Sequence, residues 1–156
     1  MLQTILVVDD EKSVRESLKL VLSDSYRILI AASGEEAIET LLREKIDLML
    51  LDIRMPGISG MDVLKQIENI AKDLEVIIIT ADTKIDTAIG ALSLGAYHYI
   101  TKPFNSKDLL AMVHRVLEKK SLVKENISLR SKITQATSLG EIIGQAEEMQ
   151  KAILEI

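Results

Sequence analysis

Apolar positions along the first 118 residues alternate between two periods. Ile5 to Val8 is a short aliphatic and β-branched run that predicts a buried strand, and it stops at Asp9-Asp10-Glu11. Val14, Leu18, Val21 and Leu22 then recur at helical spacing. The alternation continues down the chain. Tyr26 to Ala32 predicts a strand, Ser33-Gly34 breaks it, and Ile38, Leu41 and Leu42 mark a helix. Asp47 to Leu51 is a third apolar run, ending at Asp52. A loop, Met55-Pro56-Gly57-Ile58-Ser59-Gly60, leads from it to a stripe of Leu64, Ile67 and Ala71. Val76 to Ile79 ends at Thr80 and precedes Ile85, Ala88, Ile89 and Leu92, closed by Gly95. Tyr97 to Ile100 is followed by Thr101-Lys102-Pro103, then by Leu109, Met112, Val113, Val116 and Leu117. Five strands alternating with five helices predict an α/β domain: a doubly wound parallel sheet, helices on both faces, right-handed crossovers. Uniformly apolar strands predict burial on both faces.

The tail has another pattern. No Gly or Pro follows Leu117, so the fifth helix can continue. Leu122, Asn126, Leu129, Ile133 and Ala136 then fall at spacings of four, three, four and three, a short heptad stripe. Residues 119–139 are therefore expected to form a linker helix in a two-helix coiled coil, with Asn126 able to fix register; a single amphipathic helix lying on its own domain is the alternative. Thr137-Ser138-Leu139-Gly140 breaks the pattern, and Glu141 to Ile156 starts another amphipathic stretch too short to fold alone.

Composition narrows the chemistry. At 156 residues and 47% hydrophobic, the chain can fill one core, and with 3% aromatics that core is aliphatic. The absence of cysteine removes disulfides, thiolate metal sites and cysteine nucleophiles. Two histidines, His98 and His114, are too few for a histidine-rich metal centre; His98 is expected to be exposed and His114 to lie on the surface of the fifth helix. A net charge of -5 argues against nucleic-acid binding by bulk electrostatics. No apolar run approaches the ~20 residues of a membrane span, and no signal peptide opens the chain, so the expected compartment is the cytoplasm.

Ligands of open parallel sheets bind outside the carboxyl ends of the strands. There the first strand presents Asp9 and Asp10, the third Asp52, the fourth Thr80 and the fifth Lys102. Three adjacent carboxylates repel one another, and a hard divalent cation with oxygen ligands, magnesium, resolves this. Lys102 adds a positive charge and Thr80 a hydroxyl donor. Together they suit a phosphoryl group arriving at Asp52, since a carboxylate can serve as the accepting nucleophile. Each residue alone has an ordinary reading: acidic helix starts for Asp9 and Asp10, a loop-entry aspartate, a β-branched strand end, a solvated lysine. Their coincidence at one sheet edge is what carries the chemistry. No glycine-rich phosphate loop appears.

Val7-Val8-Asp9-Asp10-Glu11, Leu50-Leu51-Asp52-Ile53-Arg54-Met55-Pro56-Gly57, Thr80-Ala81 and Gly95 to Phe104 closely resemble the receiver domain of bacterial two-component response regulators. The resemblance covers about residues 3–118, with 1–118 expected as the domain. It implies a flavodoxin-like (βα)5 fold of strand order 2-1-3-4-5 with an extended C-terminal helix. It implies Asp52 as phosphoacceptor for a sensor histidine kinase. It implies Asp10 and Asp52 as direct magnesium ligands, Asp9 acting through water, and the backbone carbonyl of Arg54 as a third protein ligand. Thr80, Lys102 and the backbone NH groups of Ile53 and Ala81 would hold the phosphoryl oxygens. Lys102–Pro103 would be cis, and Tyr99 would be a switch residue that turns inward with Thr80, against the plainer reading of an edge-strand tyrosine packing sideways. The tail, with Ile142-Ile143-Gly144-Gln145-Ala146-Glu147-Glu148-Met149, resembles regulators that activate sigma-54 transcription, of the nitrogen-control and dicarboxylate-transport type, in which an AAA+ ATPase domain begins here. Partners implied are the kinase, a second copy through helix four, strand five, helix five and the linker, and the AAA+ domain of the same full-length chain.

Such a chain modifies itself and is not an enzyme with an external substrate; this segment would neither hydrolyse ATP nor bind DNA directly. A magnesium phosphohydrolase of haloacid-dehalogenase type is the enzymatic alternative, but it needs an aspartate where Arg54 stands. A dimerisation module with a vestigial site would have lost one of the Asp, Thr or Lys residues. Asp82, two residues after Thr80, reads first as the N-cap of the fourth helix and second as an influence on aspartyl-phosphate lifetime.

Overall fold

A computed structural model describes residues 2–122. The chain divides into two compact units, Met1–Leu117 and Glu118–Ile156. Of the second, 118–122 are described and are helical. Apart from Leu122, the expected coiled-coil stripe lies outside the described residues, as does the Ile142–Met149 stretch.

The first unit runs β1 (Thr4–Val8), α1 (Lys12–Leu22), β2 (Arg27–Ala31), α2 (Gly34–Arg43), β3 (Leu48–Leu51), α3 (Gly60–Ile70), β4 (Glu75–Thr80), α4 (Ile85–Ser93) and β5 (His98–Thr101). A fifth helix, α5, occupies 106–122. The strands form one parallel sheet of order β2-β1-β3-β4-β5, the flavodoxin-like arrangement.

The pleat of the strands divides the core in two. Leu6, Val8, Met49, Leu51, Val76 and Ile78 face one way, onto residues of α2, α3 and α4 such as Ala37, Val63, Leu64 and Ala91. Ile5, Val7, Leu48, Leu50, Ile77 and Ile79 face the other, onto Leu18 and Leu22 of α1 and Leu109, Val113, Val116 and Leu117 of α5. Both faces of β1, β3 and β4 are therefore dry, as continuous apolar runs require. A well-buried Leu or Ile contributes about 1.5–3 kcal/mol, so these three strands hold the sheet edge in place.

Two expectations are corrected. Burial on both faces fails for β2 and β5, which are the sheet edges and are only partly covered. The apolar stripe of α4 does not face the core: Ile85, Ile89 and Leu92 are 73%, 57% and 46% exposed, and the buried residue of the helix is Ala91. A small alanine seats this helix, and its large side chains point outward. Leu42 of α2 is likewise exposed. Edge strands and outward stripes have the same composition as buried ones, so periodicity alone does not orient them.

Local chemistry fixes the helix starts. Ser33 caps α2 by accepting from the Glu36 amide at 3.1 Å. Ser59 and Asp62 form a reciprocal capping box at α3. His98 and His114 are both exposed at residue level, though His114 is hydrogen-bonded through Nδ1 to the hydroxyl of buried Tyr26. Among the described residues no helix is long and apolar enough to cross a membrane.

Candidate functional site

The strand register builds the site. Val8 pairs with Leu51, so the next residues on these adjacent strands, Asp9 and Asp52, emerge side by side. The Asp52 amide donates to the Val8 carbonyl at 3.0 Å and the Asp9 amide to that of Ala31 at 3.2 Å, which carries sheet-like order one residue past each strand. Thr80 pairs with Thr101, and the Lys102 amide donates to the Thr80 carbonyl at 2.8 Å. Lys102 is followed by Pro103 through a cis peptide bond.

One carboxylate oxygen from each of Asp9, Asp10 and Asp52 lies within 4.8 Å of the other two. Asp9 and Asp52 are buried, 2% and 5% exposed, and Asp10 is exposed. The Lys102 ammonium sits among them. Its Nζ donates to Asp9 Oδ2 at 2.8 Å and to Asp52 Oδ2 at 3.2 Å, with Glu11 Oε1 at 3.6 Å. Burial pushes the Asp9 carboxyl up, opposed by the hydrogen bonds from Lys102 and the Glu11 amide. Burial alone would lower the Lys102 ammonium, but the Asp9 hydrogen bond and the charges of Asp52 and Asp9 outweigh it and raise its pKa.

One ammonium against three carboxylates leaves excess negative charge in a partly dry pocket. Hard oxygen donors, two buried and one open to water, fit magnesium, which keeps some of its own waters. The Arg54 amide donates to Asp52 Oδ1 at 3.2 Å, so both Asp52 oxygens are already engaged.

Around this pocket, Asp82 is a junction. Its amide donates to Thr80 Oγ1 at 3.4 Å, and its carbonyl accepts from the Tyr99 hydroxyl at 2.7 Å. Its Oδ1 accepts from the Lys84 amide at 2.9 Å, and Oδ2 accepts from Arg54 Nε and Nη2 at 3.3 and 3.2 Å. The Lys84 amide and the Arg54 guanidinium hold the Asp82 carboxyl below its usual range. The expectation of an N-cap is corrected: Lys84 occupies that position without a side-chain cap bond, and Asp82 closes a turn two residues earlier. Tyr99 is half-buried, packs against the α2–α4 core, and has its hydroxyl pKa raised by burial and the nearby Asp82 charge.

Of the expected site residues, the structure thus brings Asp9, Asp10, Asp52 and Lys102 into one cluster. Buried Thr80 is joined to the Asp82 amide. Ile53, buried, and Ala81, exposed, follow their strands at the same edge. Sequence reasoning missed Arg15, whose Nη1 donates to the Asp9 carbonyl at 2.7 Å, and the Arg54–Asp82 pair. Neither has a local signal, because each partner is brought in by the fold.

An open parallel sheet whose carboxyl edge gathers three aspartates and a lysine is compatible with holding a cation and a phosphoryl group. The sequence profile described as "Response regulator receiver domain" matches residues 5–114, and the chain belongs to that family, which acts in two-component signalling. The transcriptional regulatory protein DltR of Streptococcus agalactiae is 37% identical over 123 residues, covering 78% of this chain and 55% of that protein. A putative NtrX-like response regulator of Rickettsia felis is 35% identical over 155 residues, covering 97% of this chain and 32% of that protein. The chain thus spans about a third to a half of these relatives' length. Among solved structures, a CheY-like receiver domain protein from Methanospirillum hungatei superposes with a TM-score of 0.75 at 30% identity, covering 78% of this chain and 98% of that one. NtrX from Brucella abortus gives 0.75 at 33% identity, covering 83% and 29%.

Proposed function

We propose that Asp52 accepts a phosphoryl group from a sensor histidine kinase and that this modification switches the output of a longer, cytoplasmic regulator. The observation that carries the reading is the cluster itself: a buried carboxylate, held at both oxygens, between two further carboxylates and one ammonium. In the reaction a carboxylate oxygen of Asp52 attacks phosphorus in line, an O–P bond forms, and the N–P bond to the kinase histidine breaks. Asp9, Asp10, Asp52 and the Arg54 carbonyl would hold magnesium, which supplies charge neutralisation for the incoming phosphoryl oxygens. Lys102 would exchange a carboxylate for a phosphoryl oxygen, Thr80 would donate its hydroxyl, and the Ile53 and Ala81 amides would complete the cradle. Tyr99, next to Thr80 through Asp82, would report occupancy. No external substrate turns over.

Residues 1–118 would be the receiver, 119–139 a linker helix, and 140–156 the start of an AAA+ domain serving sigma-54 transcription. The NtrX-like relatives, matched over nearly the whole chain, support this reading. The outward stripe Ile85, Ile89 and Leu92 beside β5 supports pairing of two copies through α4, β5 and α5, because exposed apolar side chains at i, i+4 and i+7 form a contact face. The test is labelling by acetyl phosphate with magnesium, read by intact mass and peptide mapping. One phosphoryl group on Asp52, absent from Asp52→Asn and abolished by chelator, is the expected result. Equal labelling of Asp52→Asn, or none of the wild type, overturns the assignment. Light scattering with beryllofluoride then reads whether occupancy changes assembly.

A further inference from the structure

We infer that Arg15 is a positioning residue for the Asp10 carboxylate, acting through the peptide bond between Asp9 and Asp10. The inference rests on the proposed magnesium site and deepens it. Arg15 lies in the first turns of α1, yet its guanidinium folds back to the end of β1, where Nη1 donates to the Asp9 carbonyl at 2.7 Å. That carbonyl has left the sheet, since β1 ends at Val8, and it belongs to a residue only 2% exposed. Arg15 is the partner the structure gives it among the described residues.

Asp9 is pinned on every side. Its amide donates to Ala31, its carbonyl accepts from Arg15, Oδ1 accepts from the Glu11 amide at 2.9 Å, and Oδ2 accepts from Lys102. Asp10 is the opposite case. It is exposed, and among the described residues its carboxylate has no hydrogen bond or ion pair. Only its backbone aims it into the cluster. The Asp9 carbonyl and the Asp10 amide share one rigid plane, so a hydrogen bond that fixes the carbonyl also fixes the bond from which Asp10 hangs. Without Arg15 that plane can rotate toward water, and the third carboxylate swings out of reach of the other two.

A competing account makes the opposite prediction. If Arg15 mattered only as a positive charge near the pocket, removing it would tighten cation binding. If it holds the peptide plane, removing it weakens binding, and lysine, which can also donate to one carbonyl, recovers most of the loss. The experiment is calorimetric titration of magnesium into the wild type, Arg15→Leu and Arg15→Lys. Circular dichroism checks the fold, and Arg15→Gln serves as the neutral variant should Arg15→Leu not fold. The expected result is roughly tenfold weaker binding in the neutral variant, the scale seen when groups supporting a metal ligand are lost. Acetyl phosphate labelling of the neutral variant should need correspondingly more magnesium. Unchanged or tighter binding in the neutral variant, or no recovery with lysine, overturns the inference. A wild type that binds magnesium but is never labelled removes the proposed phosphoacceptor function and leaves the Arg15 result to stand on the binding data.

Discussion

Replacing Asp52 by Asn should stabilise the protein in the absence of divalent cations. Asn keeps the shape; its Oδ1 can accept from the Arg54 amide, its NH2 then replaces the oxygen that faced Lys102, and the ammonium keeps Asp9 as its acceptor. The substitution removes an attraction and two repulsions. At an effective dielectric constant of about 20, the Lys102–Asp52 pair at 3.2 Å is worth about 5 kcal/mol. A carboxylate pair at the 4.8 Å limit of the cluster repels by about 3.5 kcal/mol. Asp9 is buried and exerts that repulsion in full. Asp10 is exposed, and solvent reduces its share to about 1 kcal/mol. Attraction and repulsion therefore nearly cancel. The deciding contribution is the desolvation of a carboxylate only 5% exposed, which costs several kcal/mol and which the neutral amide largely escapes. The net gain for Asp52→Asn is about 2 kcal/mol, or about 5–10 °C in melting temperature for a domain of this size.

The assay is thermal unfolding by far-ultraviolet circular dichroism at neutral pH, first in chelator and then across a magnesium titration. The variant should melt higher in chelator, and added magnesium should raise the wild type far more than the variant, because binding to the native state alone stabilises it. A variant that melts at or below the wild type in chelator would refute the reasoning. It would mean that Lys102 alone balances the cluster, and the electrostatic case for a cation would fall with it.

Three further outcomes are expected. Gly60→Ala places a Cβ 2.3 Å from the Asp52 carbonyl oxygen and 2.7 Å from Ile53 Cα, both backbone, so no rotamer change relieves it; a loss of about 3 kcal/mol should appear in the urea midpoint. Lys102→Met leaves Asp9 and Asp52 without their ammonium and should cost about 3 kcal/mol in chelator. Because the folded pKa of Lys102 is raised, its stabilisation is complete below 10.5 and is lost as pH rises through the folded value; urea midpoints in alkali should show this step in the wild type and not in the variant. The Asp82 carboxyl is held low, so its contribution is present above 3.8 and lost as pH falls through the folded value. Asp82→Asn should lower the urea midpoint at neutral pH, and the gap to wild type should close in acid; a gap independent of pH would contradict the assigned partners.

The central strands were legible because Ile5–Val8, Leu48–Leu51 and Val76–Ile79 are apolar at consecutive positions, as burial on both faces requires. Their last residues were legible for the same reason: an aspartate after such a run must sit at the sheet edge. The α4 stripe was legible as a helix but not in its orientation, because Ile85, Ile89 and Leu92 have core composition at core spacing. Ala91, the residue that seats the helix, is too small to mark an apolar face. Arg15 and the contacts of Asp82 were hidden for a different reason. Their roles depend on backbone groups left without partners where strands end, and which groups those are is decided by register, not by composition.

Two of these features, the contacts of Asp82 and the outward stripe of α4, meet at one place. Asp82 joins Thr80 through its amide, Tyr99 through its carbonyl, and the entry to α4 through the Lys84 amide. It is therefore tied at once to the strand that ends beside the carboxylate cluster, to the edge strand, and to the helix bearing the exposed stripe. α4 has one buried residue, against two to four in each of α1, α2 and α3. A helix seated by a single alanine forfeits little apolar burial when it shifts, whereas moving α1 or α3 would expose Leu18 and Leu22 or Val63, Leu64 and Ile67. Any event that draws the Thr80 hydroxyl toward Asp52 competes with the 3.4 Å contact from the Asp82 amide, the longest of that residue's hydrogen bonds. The path of least resistance from the carboxylate cluster thus leads through Asp82 to α4, where Ile85, Ile89 and Leu92 already face outward.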